Sequence, residues 1–159
     1  MKLNAAVNRA RPARPRWLGW WAAVCVVGVG AAGCSGGNAY ELVQVSGTVT
    51  YEDGSLIPAN SIMLKFDPQA GPVDAKTHAR KGFAQVNVSD GTFAYATTHK
   101  HADGLVAGKH KVLVVAYAKD GAAANVVPNE YRRPDTTPVE IDTENLPLVI
   151  KVRKPTGGA

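Results

Sequence analysis

Hydrophobic and polar positions alternate most clearly between Val43 and Phe66. Val43, Val45, Val49 and Tyr51 share one parity, with Gly47 between them, while Gln44, Ser46, Thr48 and Thr50 take the other. Successive side chains of a strand point to opposite faces, so this spacing predicts a strand with one buried and one wet face. Asp53-Gly54 offers the residues that tolerate positive φ in a turn. Ile62, Leu64 and Phe66 then alternate with Met63, Lys65 and Asp67, which predicts a second strand and a hairpin. A lone hairpin cannot bury its apolar face, so later strands are needed to cover it.

The later chain supplies them. Between Pro68 and Thr77 the composition turns to Pro, Gly, Ala and Asp, which marks a long loop. Ala84, Val86 and Val88 then alternate with Gln85 and Asn87, and Ser89-Asp90-Gly91-Thr92 is a strong hairpin signal leading to Phe93 and Tyr95. Thr98 to Gly108 is polar and irregular. Lys109 to Ala118, KHKVLVVAYA, is apolar on both parities from Val112 onward, as in a central strand covered on both sides or a strand near a sheet edge wrapped by a loop. Tyr131 is the large side chain of a stretch without period, punctuated by Pro128, Pro134 and Pro138, and is expected to pin it to the core. Val139 and Ile141 form a short strand, and Leu148, Ile150 and Val152 form the last. Helical spacing is missing after Cys34. The reading is an all-β, seven-stranded antiparallel β-sandwich over 42–154, with a tail at 155–159 that lacks fixed structure.

Charge changes the picture only at the N-terminus. The formal charge of +5 would suggest a nucleic-acid or membrane surface partner. Residues 1–33, however, hold Lys2, Arg9, Arg11, Arg14 and Arg16 and no acid. Subtracting those five from 18 leaves 13 Lys+Arg against 13 Asp+Glu, so the chain from Cys34 onward is formally neutral. Steering toward phosphate backbones is not expected of a neutral domain, and no nucleic-acid partner is predicted.

The same 33 residues have the parts of an export signal: a basic segment, an apolar run from Trp17 to about Val29, and a small-residue exit, Gly30 to Gly33. The run of about 13 residues falls short of the ~20 that a spanning helix needs. Its end, AAGC at Ala31 to Cys34, resembles the lipobox of bacterial lipoproteins. That resemblance implies cleavage before Cys34, acylation of its sulfur, and a flexible tether over 34–41. Ala31 stands where that family most often has Leu, so cleavage by the general signal peptidase stays open. Cys25 lies inside the leader, which would leave Cys34 as the sole thiol of the mature chain and exclude an intramolecular disulfide. Two or more acyl chains make a stable anchor. The expected address is therefore the cell envelope, on its periplasmic or outer face, with the membrane itself as a partner.

A second resemblance covers about Val43 to Arg153. VSGTVTYEDGSLIPANSIMLKF, then SDGTFAYATT, then LVAGKHKVLVVAY, in that order, is similar to the carboxypeptidase regulatory-like, transthyretin-like domain. The pattern is nearest to small lipoproteins of planctomycete-type bacteria that carry this domain alone, in which a segment like Glu130 to Pro134 precedes the last two strands. The resemblance implies a prealbumin-like sandwich, usually without a known activity.

Candidate chemistry is sparse. If the segment Thr98 to Asp103 were extended, His99, His101 and Asp103 would share a face, and two imidazoles with a carboxylate suit zinc or copper. A solvated loop explains the same residues, and no metal or cofactor is assigned. His110 reads as a strand-surface residue. The Asp-Gly turns at Asp53 and Asp90 lack the repeated acids of a calcium loop. No G-x-S-x-G elbow, H-E-x-x-H pair or phosphate-binding glycine loop is present. Among transthyretin-like folds, hydroxyisourate hydrolases carry a terminal Y-R-G-S signature; Tyr131-Arg132-Arg133-Pro134 begins that way and departs. Tyr40, Tyr51, Tyr95, Tyr117 and Tyr131 would form a sugar-stacking platform only if two stood exposed side by side. The sequence thus supports a non-enzymatic, lipid-anchored structural or interaction module with an envelope protein or glycan as partner. An alternative is a binder of carbohydrate, peptide or metal that uses the loops 68–77 and 98–108. A transthyretin-like hydrolase comes third.

Overall fold

Ser61 to Pro68 is a strand in which Ile62, Leu64 and Phe66 are buried, while Met63 and Lys65 between them stay half-exposed. Its alternation is the frame on which the other elements are hung. The computed structural model describes residues 38–156. The expected leader 1–33, Cys34 and the start of the tether lie outside the described residues, as do the last three residues of the tail.

Nine strands form among the described residues: β1 (Leu42–Val43), β2 (Gly47–Tyr51), β3 (Ser61–Pro68), β4 (Gly82–Val86), β5 (Thr92–Phe93), β6 (Leu105–Val106), β7 (Lys109–Tyr117), β8 (Glu140–Asp142) and β9 (Leu148–Val152). A single 3₁₀ turn, Asn129–Arg132, precedes β8. The strands make a four-stranded antiparallel sheet in the order β4-β3-β7-β8, a three-stranded sheet in the order β5-β2-β9, and a two-stranded ribbon of β1 with β6. The fold class is therefore all-β.

The two larger sheets contribute to one core. Val49 and Tyr51 of β2 and Leu148, Ile150 and Val152 of β9 join Ile62, Leu64 and Phe66 of β3 and Val112, Val114 and Ala116 of β7 in a single buried cluster. Phe66 meets Phe93 with ring centroids 6.2 Å apart, a tilted pair that crosses from one sheet to the other. Tyr131, 1% exposed, belongs to the same cluster, and its hydroxyl accepts the Arg153 N–H at 2.9 Å. This stretch without period is thus fastened to the core by Tyr131, together with Val127.

Three features differ from the sequence reading. First, β2 and β3 do not pair as a hairpin; they lie in different sheets. The Asp53-Gly54 turn forms, with Gly54 at φ +84° and its N–H donating to the Tyr51 carbonyl. The chain then runs on through Ile57, which is buried, and Pro58, which cannot donate to a ladder, and so crosses the core instead of folding back. Second, the expected strand from Val43 to Tyr51 is broken at Gln44–Ser46. β1 pairs with β6, and a Cβ on Gly104 (φ +96°) would collide with the Val43 carbonyl, so glycine is what lets the two backbones approach. Third, β9 runs parallel to β2, from Gly47 opposite Leu148 to Tyr51 opposite Val152, in a sandwich expected to be wholly antiparallel. Parallel neighbours cannot be joined by a tight turn. Here nearly the whole domain intervenes, and the last strand arrives from the other sheet.

β7 lies between β3 and β8, and both its faces carry buried side chains, Val112, Val114 and Ala116 on one and Leu113 on the other. The Asp90-Gly91 turn links β4 to β5, with Gly91 at φ +73° and the Asn87 N–H donating to the Thr92 carbonyl at 2.7 Å.

Phe66 is fully enclosed and touches the opposite sheet, so Phe66→Ala should cost about 3–5 kcal/mol. Urea unfolding measures this as a lowered midpoint at unchanged slope. A loss under 1 kcal/mol would mean that the two sheets do not share a core.

Candidate functional site

A cleft of about 440 Å³ opens at the end of the domain where the chain enters it. Three segments wall it. The entering chain supplies Asn38 to Tyr40 and Leu42, the end of the first long loop supplies Thr77, His78 and Arg80, and the turn before β6 supplies Thr98 to Lys100 and Asp103. The loops 68–77 and 98–108 singled out from sequence both reach it.

Each wall is held by a polar hub. On one side, the Tyr40 hydroxyl lies 2.9 Å from the Gly71 carbonyl and 3.1 Å from that of Thr77, and accepts the Val73 N–H at 3.2 Å. The Asp74 carboxylate accepts the N–H groups of Lys76 and Thr77 and the Thr77 hydroxyl. The Lys76 N–H is foremost among the bonds that hold the Asp74 carboxyl below its ordinary pKa. On the other side, Asp103 accepts the N–H groups of Thr98, His99 and Lys100 at 2.7, 2.9 and 2.7 Å. Desolvation by itself would raise its pKa, but these bonds outweigh it and the pKa is lowered. The Thr98 hydroxyl donates to the Gly104 carbonyl at 2.7 Å, and the Gln44 amide reaches the Ala102 carbonyl at 2.9 Å, tying the turn to the entering chain.

The three metal candidates are thereby separated. Thr98 to Ala102 is a turn, not an extended strand, so His99 and His101 do not share a face with Asp103. Asp103 is occupied by backbone N–H groups. His99 Nδ1 lies 2.9 Å from Arg80 Nη1. A guanidinium can only donate, so Nδ1 accepts and the ring hydrogen sits on Nε2. His101 packs edge-on against Tyr95, centroids 4.8 Å apart. Among the described residues no three His, Cys, Asp or Glu side chains come together as a metal-holding group.

Of the tyrosines, Tyr51 and Tyr131 are buried and Tyr95 is exposed beside His101. Tyr40 acts as a clamp on the loop. Sequence reasoning named Tyr40 only as a candidate stacking aromatic and missed Arg80 as a site residue; the basic run His78-Ala79-Arg80-Lys81 directly after the loop was the available signal.

His110 is a correction. It was expected on the strand surface and is 0% exposed. It shares the inward parity of Val112, Val114 and Ala116 on β7, and its ring stands edge-on to Phe66. Nε2 donates to the Val106 carbonyl at 2.7 Å, while Nδ1 is buried without a partner. Val106 lines the cleft, so His110 props its floor from behind. Desolvation dominates and lowers the His110 pKa, against the Val106 carbonyl and the charges of Asp142 and Asp67, which favour the proton.

The cleft lining carries two imidazoles, His78 and His99, and two cations, Arg80 and Lys100. Comparison with protein-family models, with curated proteins and with solved structures finds no match to this chain.

Two outcomes follow. Asp103→Asn keeps one oxygen acceptor of two, and should cost about 2 kcal/mol locally; faster amide exchange at His99 and Lys100, with the β3 and β7 amides unchanged, would register it. Unchanged exchange would mean that the carboxylate does not hold the turn. Because folded His110 binds a proton less readily than an unfolded histidine, stability should fall as pH drops below about 6.5 and through the lowered folded value. His110→Gln should flatten that slope in urea midpoints between pH 7 and 5, and an unaltered slope would contradict the neutral buried ring.

Proposed function

We propose that this chain is a lipid-anchored, non-enzymatic protein of the cell envelope whose β domain binds a ligand or partner through the cleft between residues 71–80 and 98–103. The observation that carries this reading is the cleft itself. Its volume lies in the range of small-molecule sites, and it is built on loops at one end of a two-sheet frame, where binding residues are most often placed. Asn38 to Leu42, which form one wall, follow Cys34 by only a few residues. An anchor at Cys34 would hold the cleft close to the membrane surface, facing an envelope glycan or protein.

The reading of the fold goes further in the same direction. The three- and four-stranded sheets together have seven strands. We read them as the two layers of a prealbumin-like sandwich of the carboxypeptidase regulatory-like kind, with the β1–β6 ribbon as an addition at the cleft. The order of the segments VSGTV (45–49), DGTF (90–93) and GKHKV (108–112) supports this assignment.

Lipid anchoring is supported by the basic and apolar leader and by a Cys directly after small residues. Cys34→Ser should block processing of the leader by the lipoprotein route and shift the protein from the membrane to the soluble fraction of the producing cell. A variant that is still processed and still sediments with membranes would contradict acylation at this residue.

A further inference from the structure

We infer that the cleft selects a small anion: a molecule of monosaccharide size carrying a carboxylate or phosphate oxyanion. The inference rests on the binding reading above and adds the chemistry of the ligand. It follows from which polar groups of the lining are already used.

The acceptors and hydroxyls are spent inside the protein. Both oxygens of Asp103 receive backbone N–H groups. The Thr77 hydroxyl donates to Asp74, the Thr98 hydroxyl to Gly104, and the Tyr40 hydroxyl is engaged with the loop 71–77. Apart from His78, whose ring can donate or accept, what remains is on the donor side. Among the described residues Lys100 makes no side-chain hydrogen bond or ion pair, and Arg80 has only its contact to His99 Nδ1. That contact leaves the Arg80 guanidinium with four N–H groups in hand and fixes His99 as an Nε2–H donor. Asn38 is the one remaining lining amide, and it can serve either way.

Two cations therefore face the same cleft with no carboxylate to pair with, since the one acid in the lining is turned to the backbone. A neutral ligand would leave the guanidinium and the ammonium to water. An oxyanion would engage the guanidinium as a planar, two-pronged acceptor and take the ammonium as a point charge. The formal charge of the mature chain is zero, so this preference is local to the cleft and is not a general attraction for anions. Leu42 and Val106 supply apolar wall for the uncharged body of the ligand.

The test is a ¹⁵N NMR titration of the full chain in detergent with glucuronate, glucose 1-phosphate and glucose, three molecules that share a ring and differ in charge. Saturable shifts at Arg80, His99 and Lys100 with either anion, and none with glucose, are the expected result. Glucuronate alone would identify a carboxylate ligand, glucose 1-phosphate alone a phosphate, and both a common oxyanion preference. The double substitution Arg80→Gln with Lys100→Gln should weaken anion binding at least tenfold while the β3 and β7 resonances stay in place. Lys119→Gln, beyond the far end of β7 from β6, should leave it unchanged. Equal or stronger shifts with glucose would overturn the anion preference and leave the cleft as a binding site. No cleft shifts with any of the three would overturn both readings.

Discussion

The burial of one face of β3 against the sheet that holds β2 and β9 is the constraint on which the rest of the domain depends. Phe66 and Leu64 are fully enclosed, and Phe66 reaches Phe93 across the interface between the sheets. β3 also carries β4 on one edge and β7 on the other, with a register that runs the whole length of the strand against β7. Removing that face from water is the main term holding these elements together. On the opposite face of the same strand, Met63 and Lys65 stay half-exposed.

Because both sheets are committed to one core, the loops at the end of the domain can be polar and still hold shape. Two aspartates solve the same problem on the two sides of the cleft. Asp74 and Asp103 each gather backbone N–H groups that no ladder partner could satisfy. Their charge is consumed in this work, so Arg80 and Lys100 beside them have no carboxylate partner among the described residues. The structural role of the acids and the recognition role proposed for the cations are in this sense one arrangement. His110 joins the two levels of the structure, with one ring nitrogen bonded to the strand that floors the cleft and its ring against Phe66 in the core.

Much of the fold was legible in the sequence where a strand has one wet face. The parity of Ile62, Leu64 and Phe66, of Ala84 and Val86, and of Leu148, Ile150 and Val152 gave those strands and their inward sides correctly. His110 had the inward parity too, and was misplaced because residue type was allowed to outweigh position. The supposed hairpin of β2 with β3 failed because a good turn sequence says that the chain bends, not which strand comes to lie beside which; Ile57 and Pro58 carried the chain across the core. The parallel pairing of β2 with β9 left no local trace, since it joins opposite ends of the domain. Of the site, the two loops could be found as irregular stretches between strands. The clamp by Tyr40 and the meeting of Arg80 with His99 could not, because each joins residues far apart in the chain.

Native-state hydrogen exchange across the two sheets bears most directly on the central claim that they form one cooperative unit. Amides of β2 and β9 should exchange only through the same global opening as those of β3 and β7, with matching free energies and matching dependence on denaturant. If β2 and β9 opened at a much lower free energy while β3 and β7 stayed protected, the sheets would be separate units. The shared core, and the fixed cleft built on it, would then both be contradicted.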